Sequence, residues 1–305
     1  INLCDKFGKV AVLLGGVSNE REISLESGNA VLAALNSMDI DAHPIDPMFY
    51  DLNELKKNFF NRVFICLHGK DGEDGKIQGM LDEMNIPYTG SGKSSSSKGM
   101  DKLISKSIWR DNNLSTPEFL RVEGRDDYEK IVNTLNVPFF MKPANSGSSI
   151  GINKVNSEEE FIRAFDEAVT IDSNVIAEKM IVGREYTLPI LGQRVLPIIE
   201  IQSKTEFYDY AAKYKRGDTK FICPTDLPSN ITQEANEISL RAFNLLGCKG
   251  WGRVDFIIDN NNNFFIIEIN TIPGMTSHSL VPLSAKNAGI SFEELTLKIL
   301  ETSCA

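Results

Sequence analysis

The sequence is poor in the residues that build the commonest kinds of site. Its 305 residues include three histidines, too few for a histidine-rich metal centre. The five cysteines, Cys4, Cys66, Cys223, Cys248 and Cys304, are odd in number and form no C-x-x-C pair. They indicate neither a disulfide framework nor a structural zinc, and a reducing, cytoplasmic setting is the expectation. No apolar run approaches the roughly 18 residues that a membrane span needs. The opening stretch Ile1-Asn2-Leu3-Cys4-Asp5-Lys6 does not read as a signal peptide. A start on Ile1 instead of methionine suggests a processed or trimmed chain. Basic charge is also scarce: 32 Lys and Arg against 42 Asp and Glu, a net −10 at pH 7. Without a basic stripe, a nucleic-acid partner is disfavoured. An anionic small ligand is not, because a few lysines focused in a cleft override the global sign. Two phosphate-binding signatures are missing as well. Gly92-Lys93-Ser94 has the tail of a Walker A loop, but Pro87 stands where the first glycine belongs. Gly15-Gly16 lacks the G-x-G-x-x-G spacing, so a dinucleotide fold and a NAD-binding oxidoreductase are unsupported.

What is present is a globular composition. Hydrophobic residues make up 42% and charged residues 24%, ample for a buried core and two or three domains. Residues 9–14 and 63–67 read as buried strands. A helix follows the first of them, with Ile23, Ala30, Val31 and Ala34 at helical spacing. Residues 75–83 predict another helix. Strand–loop–helix repetition points to a parallel sheet with helices on its faces. The small, polar stretch Gly90 to Ser97 reads as a domain boundary, followed by one lysine-bearing helix over 98–111. Phe139-Phe140-Met141-Lys142-Pro143 reads as a strand ending in a lysine, before the small-residue loop 144–151. A helix over 157–169 carries a capping box, Ser157 with Glu160. Further strands are predicted at 175–178, 186–191, 195–201, 254–258 and 264–269, with a helix at 233–246 among them.

The chemistry concentrates in the last strand pair. Two apolar runs flank Asn260 to Asn263, which is a hairpin signal. If the turn is symmetric, Asp259 faces Phe264 and Asp255 faces Glu268. Asn270 and Arg253 then share that face, since side chains alternate with period two. Three oxygen ligands on one face suit a hard cation such as Mg²⁺, which takes a few carboxylates plus substrate phosphates. A strand pair with polar residues on its solvent face would read the same, but ionic groups inside strongly apolar strands need partners. Cations for phosphate are found in Lys102 on a helix and Lys142 at a strand end. The Gly147-Ser148-Ser149 loop offers backbone N–H groups. A lone lysine is usually a solvated surface charge; Lys142 stands apart because apolar residues surround it.

Several segments together resemble the D-alanine–D-alanine ligases. They include Leu14-Gly15-Gly16-Val17-Ser18-Asn19-Glu20-Arg21-Glu22-Ile23-Ser24, Leu67-His68-Gly69 with Gly72-Glu73-Asp74-Gly75, and Tyr88-Thr89-Gly90-Ser91. Met100-Asp101-Lys102, Lys142-Pro143, Gly147-Ser148-Ser149-Ile150-Gly151 and Phe207-Tyr208-Asp209-Tyr210 continue the match. Gly250-Trp251-Gly252-Arg253-Val254-Asp255 and the run from Glu268 through Asn270 and Gly274 to Ser279-Leu280 complete it, so nearly the whole chain is covered in order. Ala211 and Ile272 depart from the usual pattern without touching the chemistry.

The resemblance implies an α/β (α+β) ATP-grasp fold of three domains: 1–92 holding substrate on a parallel sheet, then 93–183 and 184–305 clasping ATP. It implies that Lys102 and Lys142 contact ATP phosphates, as does Lys213 in the covering loop. Glu178, Lys179 and Ile181 would line the adenine side, and Glu185 would meet the ribose. Asp255, Glu268 and Asn270 would hold two Mg²⁺ ions, with Mn²⁺ able to replace them. Glu20 would bind the ammonium of the first D-alanine, with Ser148 and Tyr214 completing a hydrogen-bonded triad. His68 would lie near that substrate's carboxylate, and Ser279 and Leu280 would help bind the second D-alanine. Arg253 and the Gly274 backbone N–H would form an oxyanion hole. The segment 206–225 would be a lid that keeps water from an acyl phosphate, and Tyr214 favours D-alanine over D-lactate as acceptor. Partners would be D-alanine and ATP, no nucleic acid, no membrane, and a second copy of the chain in a homodimer. Two rival readings stay open: another ATP-grasp carboxylate–amine ligase, and a nucleotide-binding regulator without turnover.

Overall fold

The structure, a computed structural model, describes residues 3–148, 150–203 and 219–304. After a short helix α1 (Leu3–Phe7), strand β1 (Val10–Leu13) lies between β2 (Ala42–Ile45) and β3 (Arg62–Ile65), all parallel. All four β1 residues are buried, as the predicted run 9–14 requires of a strand covered on both faces. β2 escapes a pattern reading because His43 and Pro44 interrupt it, and its edge position tolerates the proline. Helix α2 (Arg21–Ser37) makes the crossover from β1. Its buried face is the predicted one only in part. Ser24, Ser27 and Gly28 lie inward before Val31, Ala34 and Leu35, while Ile23 and Ala30 are only half-buried. Close approach is the reason: a Cβ on Gly28 would overlap Leu14.

Helix α3 (Lys76–Glu83) matches the prediction. The single helix expected over 98–111 is instead two, and the first begins inside the stretch Gly90 to Ser97. These are α4 (Lys93–Met100) and α5 (Lys102–Asp111), separated by Asp101 alone. The Asp101 carboxylate accepts the Leu103 and Ile104 N–H groups at 2.9 and 3.1 Å and so starts a new helix. Small residues let α4 pack closely; a Cβ on Gly99 would already stand 3.4 Å from Thr271 Cγ2.

Strands β4 (Phe119–Val122), β5 (Phe139–Pro143), β6 (Asn153–Val155) and β7 (Val175–Lys179) form an antiparallel sheet ordered β4-β7-β5-β6. Helices α6 (Tyr128–Leu135) and α7 (Glu158–Ile171) pack on it. Ser157 caps α7 as predicted, accepting the Glu160 N–H at 3.3 Å, but the Glu160 carboxylate turns to the Asn156 N–H at 2.7 Å. A larger antiparallel sheet is built from β8 (Gly183–Leu191), β9 (Arg194–Val195), β10 (Ile199–Gln202), β11 (Lys220–Ile222), β12 (Trp251–Asp259) and β13 (Phe264–Asn270). Its order is β11-β10-β8-β12-β13, with β9 paired on β8. The strand predicted over 195–201 is divided into β9 and β10 around Pro197. Helix α8 (Ser229–Leu245) covers this sheet, and α9 (Leu280–Asn287) and α10 (Phe292–Glu301) return to the parallel sheet, where Val281, Leu295 and Ile299 join its core. The mixed α/β class is as expected.

Candidate active site

The β12–β13 hairpin pairs Arg253 with Asn270 and Asp255 with Glu268, the expected opposition of the two carboxylates. The expected pairing at the turn does not hold. Phe264 faces Ile258, because Asp259 curls inward and accepts the Asn261 and Asn263 N–H groups, each at 2.8 Å. That one-residue shift is undone by a bulge between Asp255 and Phe256, where Ile267 is the extra residue. Ile267 and Glu268 consequently both line the cleft between the two antiparallel sheets.

Lys102, Lys142, Glu178, Glu185, Asp255 and Glu268 supply the charged wall of that cleft, and Phe140, Ile152, Ile257 and Ile267 its apolar flank. The sequence names the first set and not the second, since the apolar wall of a cleft reads as core. The Asp255 carboxylate takes Arg253 Nε and Nη2 at 2.8 and 2.9 Å and Thr187 Oγ1 at 2.5 Å. Lys102 Nζ donates to the Ser146 carbonyl at 2.7 Å and stands 3.4 Å from Glu268 Oε2. Lys142 Nζ lies 2.7 Å from Glu178 Oε1, and Lys106 Nζ lies 2.6 Å from Glu178 Oε2. Burial alone would raise the Glu178 carboxyl; Lys106 and Lys142 outweigh it and hold the group below the usual carboxylate range. Burial pushes the Lys106 ammonium down to about 8. Sequence reasoning assigned Lys106 no role. A signal was available: Lys102, Ser105, Lys106 and Trp109 are the buried residues of α5 and follow the i, i+3, i+4, i+7 stripe of a core face.

A second group of side chains faces the parallel sheet. Ser148, held at φ +52°, donates its hydroxyl to Glu20, which bridges the loop after β5 to the start of α2. Gly69 permits the approach, as a Cβ there would stand 2.6 Å from Glu20 Oε2. His68 is buried, with Nδ1 2.9 Å from the Ile272 carbonyl and Nε2 3.4 Å from Ser27 Oγ. A carbonyl only accepts, so Nδ1 carries the proton, and burial holds the ring's pKa below its ordinary value. Glu73 accepts the Gly69 and Ile272 N–H groups at 2.7 and 3.4 Å. Burial, then the charge of Glu20, pushes its carboxyl up to about 8. Ser27 accepts the Met275 N–H at 3.0 Å. The segment that carries Gly274 is thus gripped by Ser27, His68 and Glu73. Of these the sequence singled out only His68 for a role, since a buried serine on a helix gives no pattern.

The remaining expected residues divide. Ser279 precedes α9 and its hydroxyl accepts the Thr276 N–H at 2.9 Å; a Cβ on Gly274 would stand 2.7 Å from that oxygen. Leu280 packs against Ile199 and Ile201. Asn270 Oδ1 accepts the Ile272 N–H at 3.1 Å. Neither Asn270 nor Lys179 nor Ile181 lines the cleft; Lys179 is exposed at the end of β7. Lys213, Tyr214, Ser149 and most of the segment 206–225 lie outside the described residues. Among the described residues no helix is long and apolar enough to cross a membrane.

The family model described as D-ala D-ala ligase N-terminus matches residues 51–91, and that described as D-ala D-ala ligase C-terminus matches residues 108–301. A D-alanine–D-alanine ligase of Dechloromonas aromatica is 48% identical over 295 residues, 97% of each chain. The crystal structure of a D-alanine–D-alanine ligase from Bacillus anthracis complexed with ATP superimposes with a TM-score of 0.84 at 33% identity, covering 97% of both chains. A D-Ala:D-Ser ligase from Enterococcus faecalis gives a TM-score of 0.84 at 30% identity, over 97% of this chain and 99% of that one. With buried lysines ranged along a cleft between two antiparallel sheets, and relatives matching from end to end, the chain belongs to the D-alanine–D-alanine ligase family of ATP-grasp enzymes.

Proposed function

We propose that this chain joins two D-alanine molecules into D-alanyl-D-alanine, for peptidoglycan precursors, at the expense of ATP and with release of ADP and phosphate. The observation that carries the reading is the buried charge of the cleft. Lys102, Lys106 and Lys142 are all buried against one buried carboxylate, Glu178, whereas Glu185, Asp255 and Glu268 are only half-buried and Asp255 is paired with Arg253. A surplus of buried positive charge fits a polyphosphate. The Glu20–Ser148 contact supports an ammonium site at the other end.

A free carboxylate is a poor acyl donor. Phosphoryl transfer from ATP to the first D-alanine makes phosphate the leaving group, and it depends mostly on positioning and charge neutralisation. In this reading Lys102 and Lys142 meet the phosphates, Glu178, Lys179 and Ile181 the adenine, and Glu185 the ribose. Glu20, with Ser148, holds the first D-alanine's ammonium, and His68 stands near its carboxylate. Ser279 and Leu280 meet the second D-alanine. Its neutral amine attacks the acyl phosphate, and the carbonyl oxygen gains negative charge. Arg253 and the Gly274 N–H answer that charge, each such donor lowering the barrier by about 3–4 kcal/mol. Lys213 and Tyr214 enter on the resemblance alone.

The oxygen donors Asp255, Glu268 and Asn270 fit two magnesium ions, with manganese able to replace them. Two opposed carboxylates and an amide are few, as magnesium prefers when phosphates supply the rest. Bound there, the metal would neutralise phosphate charge; Arg253 would first have to yield its hold on Asp255. The working division is 1–92, 93–183 and 184–305, with a homodimer in the cytoplasm as the expected setting. Release of ADP and phosphate should depend on D-alanine across a panel of D- and L-amino acids. Release with another amino acid and none with D-alanine would overturn the substrate assignment, and D-serine accepted only in the second position would make the acceptor that of the Enterococcus faecalis relative.

A further inference from the structure

We propose that Lys106 is a positioning residue for nucleotide binding: it shares the Glu178 carboxylate with Lys142 and so leaves the Lys142 ammonium available to phosphate. The inference rests on the nucleotide reading above. Lys106 is 0% exposed and is not part of the cleft lining. Its ammonium stands 2.6 Å from Glu178 Oε2 and donates to Thr116 Oγ1 at 2.7 Å. Thr116 in turn donates to the Ile266 carbonyl at 2.8 Å, which ties the cluster to β13. Glu178 is 3% and Lys142 4% exposed, and only these two of the three line the cleft.

Charge counting shows what Lys106 adds. Lys142 and Glu178 by themselves are a neutral buried pair, and a lysine so paired has little attraction left for an anion. With Lys106 the set of three carries one net positive charge. The single carboxylate is divided, one oxygen to each ammonium, and the flexible Lys142 stem is held in one attitude. Burial lowers the Lys106 ammonium only to about 8, so it is charged at neutral pH. A cation serving merely to neutralise Glu178 would duplicate Lys142.

The test is the affinity of the full chain for ATP with magnesium, by calorimetry, together with Tm. Lys106→Met should weaken ATP binding about tenfold, by releasing Glu178 wholly onto Lys142. Adding Glu178→Gln to Lys106→Met should restore most of that loss when it is read with inorganic tripolyphosphate, which makes no use of Glu178 on the adenine side, because the competing carboxylate is gone and the pocket again has a surplus cation. An unchanged affinity with a lower Tm would overturn the proposal, as would a double variant no better than Lys106→Met. If Lys106→Met does not fold, Thr116→Val frees the ammonium from one anchor and should weaken ATP about twofold; no change there would also overturn it. A parent chain that binds no ATP would instead refute the nucleotide reading itself.

Discussion

Removing the Ser27 hydroxyl should separate the two halves of the reaction. Ser27 is fully buried on α2, and its oxygen accepts the Met275 N–H at 3.0 Å. Since His68 donates from Nδ1 to the Ile272 carbonyl, its Nε2 is an acceptor, and the Ser27 hydrogen points to it across 3.4 Å. Ser27→Ala leaves a buried backbone donor without a partner, which costs about 1–3 kcal/mol. The long His68 contact adds little. Tm should therefore fall by a few degrees. The released segment carries Gly274, so amine attack should suffer more than phosphoryl transfer. A fully removed oxyanion donor costs about a hundredfold or more in turnover, and a displaced one should cost about tenfold. Positional exchange in oxygen-labelled ATP with D-alanine alone reports formation and reversal of the acyl phosphate; dipeptide formation reports the whole reaction. Exchange should persist while dipeptide formation falls about tenfold. Equal losses in both, or no loss in either, would refute the claim that Ser27 sets the position of Gly274.

Arg253→Ala should lower turnover far more than ATP affinity, measured as kcat against the ATP Kd; equal losses in both would remove it from the oxyanion role. Glu73 makes a pH prediction. Its folded value of about 8 stands above the ordinary glutamate value of 4.5, so between those limits the folded chain keeps a proton that the unfolded chain has lost. Its contribution to stability is full below the lower limit and is lost as pH rises through the upper one. Glu73→Gln has no such proton, and its Tm should fall less across that window than the parent's. A parallel decline would show that Glu73 does not titrate there.

The parts of the site that were legible are those where chemistry contradicts its surroundings. Lys142 stands out among Phe139, Phe140 and Met141, and Asp255 and Glu268 stand out among isoleucines. The parts that were not legible are built from residues that contradict nothing. Ser24, Ser27 and Gly28 form the inward face of α2, and Ser95, Ser96 and Gly99 that of α4. Small residues there allow backbones to approach, and pattern reading keyed to large apolar side chains sees a polar face or a domain boundary. Lys106 was hidden for the opposite reason. A lysine on a helix is taken for a solvated charge unless its stripe is traced to Trp109.

The hairpin shows how a correct expectation can rest on an incorrect step. Counting outward from a symmetric turn set Asp255 against Glu268, yet the turn is not symmetric. With Ile258 facing Phe264, a regular ladder would put Ile267 opposite Asp255 and Glu268 opposite Val254, which is fully buried. A slip of one residue reverses every side chain, so Glu268 would then point into the core. The bulge at Ile267 reverses it once more. Asp259 sets the slip by its short Asx-type contacts in the turn, and the extra residue cancels it three residues before the strand ends. The cancellation also does what a regular strand cannot. It aims two consecutive side chains, Ile267 and Glu268, into the same cleft, setting an apolar contact directly beside a carboxylate. A cleft that must hold both an apolar ring and a charged phosphate chain needs that juxtaposition, and here the backbone irregularity supplies it.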